Sequence, residues 1–231
     1  MTTTLLQPPP SPLLASAVEA GFRPLQRFSW YKRAQAWALA RGNPNYEARV
    51  HAFKSRLFSS LEGNVVEIGP GGGLNLGFFA PDVRWTGVEP NPFFHPHIQN
   101  AAVRLGREVE VRLGAAEHLP FSDKHADAVV CSLVLCSVRD LDQTLREVRR
   151  VLRPGGRFVF IEHVGAPAGT PLRWVQRLVR PLWLALADGC HPDRDTALAL
   201  RKAGFDDVDI EPFDVPIPII GPHIAGVAWN S

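Results

Sequence analysis

The stretch VVEIGPGGG, residues 65–73, places four glycines and a proline directly after an apolar run holding one carboxylate, Glu67. A turn needs one glycine. Further glycines mark backbone that enters left-handed conformations or is approached closely by another group. In an open α/β sheet, small ligands bind in the crevice outside the carboxyl ends of the strands, where such a loop sits. The loop therefore predicts a ligand site at the end of a first buried strand.

Outward from the loop, short apolar runs alternate with helical stretches. Strands are predicted at 64–69, 83–89, 109–113, 126–135 and 156–164, and helices near 73–80, 92–105 and 140–152. That alternation implies right-handed crossovers and a mainly parallel sheet. The middle runs are almost wholly apolar, as in strands covered on both faces. Helices follow at 170–187 and 193–203. Two last strands, 206–214 and 222–230, flank the Pro-rich turn VPIPIIGP and read as an antiparallel hairpin closing the sheet.

Upstream, residues 24–41 place Leu25, Phe28, Trp30, Tyr31, Ala34, Trp37 and Ala38 at helical spacing. Asn43-Pro44 breaks that helix, and a second is predicted at 45–61. The organisation is a disordered leader over 1–20, an N-terminal helical lid over 21–61 and one α/β domain over 62–231. Deleting residues 1–40 is expected to weaken use of the acceptor more than binding of the cofactor.

Composition narrows the function. The 231 residues suit one domain with a lid, and a net charge of +2 with scattered Arg argues against nucleic acid. Three cysteines without regular spacing argue against a disulfide framework, and no metal is expected. No stretch is long and apolar enough to span a bilayer, so a cytoplasmic protein acting on a small molecule is expected.

Gly69, Gly71 and Gly73 give Gly-x-Gly-x-Gly, close to the Gly-x-Gly-x-x-Gly that presents a helix N-terminus to a pyrophosphate. Glu67, two residues earlier, repels a pyrophosphate and attracts a cation. S-adenosylmethionine carries an ammonium and a sulfonium and no phosphate. Glu89, twenty residues after Gly69, suits the two ribose hydroxyls of an adenosine. Nicotinamide enzymes share that acid, so an oxidoreductase stays open on these residues alone.

With VEIGPGGG, GVEPN, AAEHLPF, VVCSLVLCSV and VLRPGG together, the chain from Tyr46 to Asn230 resembles the class I S-adenosylmethionine-dependent methyltransferases of methyltransferase type 11. The resemblance implies a Rossmann-like, seven-stranded, mostly parallel sheet. It implies S-adenosylmethionine as methyl donor, S-adenosylhomocysteine as product, and no metal. It also implies a cofactor set: Glu67, Gly69, Pro70, Gly71, Gly73 and Asn75 at the methionine end, with Glu89, Pro90 and Asn91 at the ribose. Ala116 and Glu117 lie by the adenine, and Cys131, Ser132 and Leu133 on the methionine side.

EVRRVLRPGGRFVFIEHV, the Asp188-Gly189-Cys190 triplet, RDTALALRKAGF and GPHIAGVAWN carry a narrower resemblance, to the methyltransferase-like thiol S-methyltransferases. Those proteins methylate small lipophilic thiols and are membrane-associated through an apolar N-terminal segment. The leader here is Pro- and Thr-rich, so no such anchor is expected. The implied acceptor is a small apolar thiol, with O-, N- or C-methylation of a natural product, quinone or lipid as the alternative. A tailoring role on a natural product fits the high Ala and Arg content.

His163 is the candidate base or orienter. Trp30, Tyr31, Cys136, Trp174, Asp188 and Cys190 are candidates for the acceptor pocket, with Cys136 read chiefly as packing. Most tryptophans are expected in the core, and His223 is read as structural.

Overall fold

The computed structural model describes residues 29–231. The leader, and residues 24–28 of the first predicted helix, lie outside the described residues. Helix α1 spans Ser29–Leu39 and α2 spans Pro44–Phe58. Asn43 is extended, and its side-chain oxygen accepts from the N–H groups of Asn45 (3.0 Å) and Tyr46 (3.3 Å). Asn43-Pro44 thus ends one helix and caps the next, with Pro44 in the first turn where no N–H is needed.

The strands are β1 (Asn64–Ile68), β2 (Arg84–Val88), β3 (Glu110–Arg112), β4 (Ala126–Ser132), β5 (Leu152–His163), β6 (Asp207–Asp214) and β7 (Pro222–Asn230). They form a seven-stranded sheet ordered β3-β2-β1-β4-β5-β7-β6. β1 to β5 are parallel and β7 is antiparallel to both β5 and β6. The predicted parallel sheet with a closing hairpin is therefore present. From β1 the chain winds outward to β2 and β3, then returns to β4 on the other side. The order reverses between β1 and β4, which opens the crevice above their carboxyl ends.

Helices α3 (His95–Arg104), α4 (Leu141–Val151), α5 (Pro171–Leu186) and α6 (Thr196–Lys202) complete the fold. Two apolar clusters pack on the two sheet faces. One joins Val50, Phe58, Trp85, Ile98 and Val130, and the other joins Ile68, Val129, Leu145, Val148 and Phe160. Each face of β1 thereby meets helix side chains, which is why its residues are apolar without alternation. Among the described residues, no helix is long and apolar enough to cross a membrane.

Three predicted elements differ. Residues 73–80 form turns and a 3-10 turn at Leu76–Phe78, because Gly71 and Gly73 take φ of +54° and +74°, outside any right-handed helix. β4 ends at Ser132 rather than 135. Leu133 has φ +58°, and its N–H turns aside to the Ile161 carbonyl (2.9 Å). β5 begins at Leu152, because Leu152 already pairs with Ala126 before a register shift.

The tryptophans also depart from expectation. Trp30, Trp37 and Trp174 are 72%, 62% and 67% exposed, whereas Trp85 on β2 is buried. Trp30 and Trp174 therefore stand on the surface rather than lining a closed pocket.

Candidate active site

The glycine loop leaves β1 at the switch point. Gly71 has left-handed backbone, and nothing comes nearer than 3.9 Å to where its Cβ would lie. Space opens in front of it. Gly72 meets the opposite condition: a Cβ there would lie 2.6 Å from the backbone of Ala40. The segment joining α1 to α2 thus rests directly on the loop.

Glu89 ends β2 beside this space. Its Oε2 accepts from the Gly71 N–H (3.1 Å) and its Oε1 from the Asn91 N–H (2.8 Å). A carboxylate oxygen has two acceptor positions, so one on each remains for a pair of vicinal hydroxyls. Burial pushes the Glu89 carboxyl up to about 7, against these two N–H groups. Asn91 also donates from Nδ2 to the Lys32 carbonyl (3.3 Å), which brings α1 over the same place. Pro90 separates the two and holds the turn.

Glu67 lies differently from the direct role expected of it. It is 1% exposed, with Oε1 taking the Asn75 Nδ2–H (2.7 Å) and Oε2 the Trp85 indole N–H (2.9 Å). Its pKa is raised, chiefly by burial. The carboxylate braces the loop from behind, and Asn75, whose buried Oδ1 has no partner, is the group it steers. Trp85 carries this brace and was missed in the sequence, where its place in an apolar strand reads as core.

Glu117 accepts from the N–H groups of Arg139 (2.8 Å) and Asp140 (3.4 Å), which ties the 115–118 turn to the start of α4. Ala116 is buried beneath it. Cys131 is fully buried in the core cluster, and Ser132 and Leu133 reach the carboxyl edge of the sheet. Only the last two face the crevice by position.

On the other flank the structure gathers Cys136, His163 and Cys190, residues far apart in sequence. His163 Nε2 lies 3.0 Å from Cys190 Sγ, and the Trp183 indole N–H donates to the same sulfur (3.3 Å). The hydrogen bond from Cys136 holds the Cys190 thiol well below its ordinary range, and the same bond pushes Cys136 up. Arg194, whose Nη1 bonds the Leu135 (2.6 Å) and Val138 (2.7 Å) carbonyls, was not foreseen.

Beside this group, Glu162 accepts the Val134 N–H at Oε1 (2.8 Å). Its Oε2, His163 Nδ1, the Tyr46 hydroxyl and His223 Nε2 are buried without hydrogen-bond partners among the described residues. His223 and Tyr46 rings lie 5.6 Å apart, and His223 and His163 rings 6.1 Å apart. Burial, with Glu162 adding, keeps the Tyr46 phenol protonated. Burial holds His223 neutral, down to about 4, with Nδ1–H on the Gly221 carbonyl (2.9 Å). Four unmet buried polar atoms so close together are unusual for a packed core.

Asp188 pairs with Lys32 of α1. That ion pair, the Asn91–Lys32 bond and the Gly72–Ala40 contact draw α1 across the crevice between the two flanks.

The methyltransferase-domain family matches residues 66–160, which span the loop, both acids and β4 to β5. Human thiol S-methyltransferase TMT1A is 36% identical over 217 residues, covering 87% of this chain and 88% of its own length. The chain belongs to the thiol S-methyltransferase family. This family member is an S-adenosylmethionine-dependent methyltransferase, with the loop and the β2 acid in place. Its fold matches that of a methyltransferase from Methanosarcina mazei, with a TM-score of 0.58 at 19% identity over 73% of this chain and 92% of that one. The ubiquinone/menaquinone C-methyltransferase UbiE of Caulobacter vibrioides is 43% identical over 74 residues, 31% of this chain and 29% of its own.

The residues at the crevice suit S-adenosylmethionine in their chemistry. The open space before Gly71, the free acceptor positions of Glu89 and the absence of a basic side chain from the glycine stretch suit an uncharged ribose rather than a pyrophosphate.

Proposed function

We propose that the chain methylates the sulfur of a small thiol. The carrying observation is the buried grouping of Cys136, His163 and Cys190 beside the cofactor crevice, in a chain similar over most of its length to a protein named for thiol methylation. S-adenosylmethionine supplies an electrophilic methyl on a sulfonium.

The chain's own residues do the rest. Glu89 takes the two ribose hydroxyls, with Pro90 and Asn91 shaping that turn. Gly69, Pro70, Gly71 and Gly73 give the methionine portion a close backbone approach. Glu67 sets Asn75 toward it and leaves a negative field behind the cation. Ala116 and Glu117 border the adenine, and Ser132 and Leu133 the methyl. Together they hold the reacting atoms aligned, which lowers the barrier without covalent participation.

A thiol attacks only as thiolate. His163, next to the free edge of the pocket, serves as base or orienter for that ionisation. Tyr46 and His223 offer a donor and an acceptor at the pocket floor. Residues 29–61 act as a lid: α1 closes the crevice and keeps water from the sulfur.

The similarity to the quinone C-methyltransferase lies in only about a third of the chain, so it bears on the donor and not on the acceptor. Incubating the protein with S-adenosylmethionine and a panel of thiols, phenols and amines, with mass-spectrometric detection, separates the readings. Thiols should give S-methyl products. Methylated phenols or quinones with inert thiols would overturn the sulfur assignment.

A further inference from the structure

Cys136 follows β4, His163 ends β5 and Cys190 lies past α5. One ligand atom from each, two sulfurs and one imidazole nitrogen, falls within 4.8 Å of the others, and all three residues are buried. Backbone contacts fix this meeting. The His191 N–H donates to the Cys136 carbonyl (2.8 Å), joining the two cysteine segments, and Arg194 holds the loop that carries Cys136.

The imidazole is free of the usual commitments of a structural histidine. Its Nε2 faces Cys190 Sγ, and its Nδ1 is buried with no hydrogen-bond partner among the described residues. Neither nitrogen is tied to a carbonyl or a carboxylate. The two thiols and the imidazole Nε2 are joined by hydrogen bonds to sulfur, which are weak. A single ion satisfies all three.

We propose that Cys136, His163 and Cys190 bind a soft divalent transition-metal ion, zinc first, with a fourth position open to the acceptor's sulfur. This departs from the metal-free site expected from the sequence. Two cysteines and one histidine are a ligand set that catalytic zinc sites use, leaving one place for water or substrate. Tetrahedral coordination at zinc–ligand lengths of about 2.0–2.3 Å puts neighbouring ligands about 3.3–3.8 Å apart. Here His163 Nε2 and Cys190 Sγ lie 3.0 Å apart, and all three ligand atoms fall within 4.8 Å. No carboxylate belongs to the set, which disfavours calcium and magnesium. The Trp183 N–H on Cys190 Sγ is a ready outer partner that orients the ligand.

The use of the ion rests on the thiol reading. With the ion bound, His163 is a ligand and not the base. The acceptor sulfur binds the ion as thiolate, and its S–H proton passes to water. A sulfur lone pair forms the new carbon–sulfur bond as the methyl–sulfonium bond of S-adenosylmethionine breaks and S-adenosylhomocysteine leaves.

The test is metal analysis and cobalt titration of the full chain, with Cys136→Ser, Cys190→Ser and the double variant. Circular dichroism and binding of S-adenosylhomocysteine check that the variants fold. The wild type should hold about one zinc per chain. Its cobalt form should show sulfur-to-metal charge-transfer absorption, and each single variant should bind cobalt at least tenfold more weakly. Wild type that holds no zinc and gives no such absorption would overturn the proposal, as would cobalt binding unchanged in a folded double variant. Thiol methylation by a protein that binds no metal would remove the ion and leave the acceptor reading. A metal site in a protein that methylates no thiol would do the reverse.

Discussion

Lys32, buried on α1, forms an ion pair with Asp188, which lies just past α5 and 156 residues further along the chain. Asp188 has φ +51°, a left-handed conformation that Asp and Asn tolerate. Asp188→Asn therefore removes the charge without straining the backbone. Because Asp188 is partly exposed, the loss should be small, about 1 kcal/mol of stability by urea denaturation. Hydrogen exchange in α1 should rise. In a double-mutant cycle, Lys32→Met and Asp188→Asn together should cost less than the sum of the two. Unchanged exchange in α1 would show that this pair does not hold the lid.

The Glu89 carboxyl carries the clearest pH dependence. Its folded pKa is raised to about 7 by burial, above the ordinary value of 4.5. Its contribution to the stability of the free protein is thus fully present below about 4.5 and is lost as pH rises through about 7. Cofactor binding runs the other way. Ribose hydroxyls donate best to the ionised form, so affinity for S-adenosylhomocysteine should rise from pH 6 to 8 and then level. Calorimetry should find this slope in wild type and not in Glu89→Gln. Glu89→Ala should weaken binding tenfold or more at pH 8, about 1.4 kcal/mol. A slope that persists in Glu89→Gln would assign it to another group.

The fold and the donor side were legible because both are local. VVEIGPGGG and Glu89 sit at adjacent strand ends in a parallel sheet, so the 25 residues from Val65 to Glu89 hold both of these groups. The acceptor side was not legible, because Cys136, His163 and Cys190 meet only when β4, β5 and the end of α5 are assembled. Taken singly, His163 reads as a base or orienter and Cys136 and Cys190 as candidate pocket residues, with no sequence pattern to join the three. The tryptophans misled for another reason. Helical spacing shows that Trp30 and Trp37 lie on a helix, but not which of its faces is covered. Glu67 reads in the sequence as meeting the cation directly, and only the fold reveals that it stands on β1 with Trp85 reaching it from β2.

That Trp85 bond is itself testable. The indole N–H is the partner of Glu67 Oε2, and both side chains are almost wholly buried. Trp85→Phe keeps most of the ring's packing and leaves a buried carboxylate oxygen unpaired. The cost should be about 1–3 kcal/mol of stability, beyond a smaller loss from the reduced ring. Cofactor affinity should also fall, because Asn75 loses its fixed support. If Trp85→Phe is no less stable than wild type in urea, the bond is not a brace.

Gly72 offers a way to lift the lid without touching either ligand pocket. Its φ is not left-handed, so an added methyl group strains no backbone, but that methyl would meet the Ala40 backbone at 2.6 to 3.0 Å. Backbone atoms cannot swing aside as a flexible side chain does. Gly72→Ala should therefore push the α1–α2 junction off the loop, at about 1–3 kcal/mol, the usual cost of overpacking. Trypsin cleavage at Arg41 should quicken while the sheet stays protected. The contacts of Lys32 with Asn91 and Asp188 tie this lid to both flanks, so cofactor affinity and acceptor turnover should fall together. Deletion of residues 1–40 should act alike, in place of the selective loss of acceptor turnover expected from the sequence. Turnover lost at unchanged cofactor affinity in both variants would mean that the segment serves the acceptor alone.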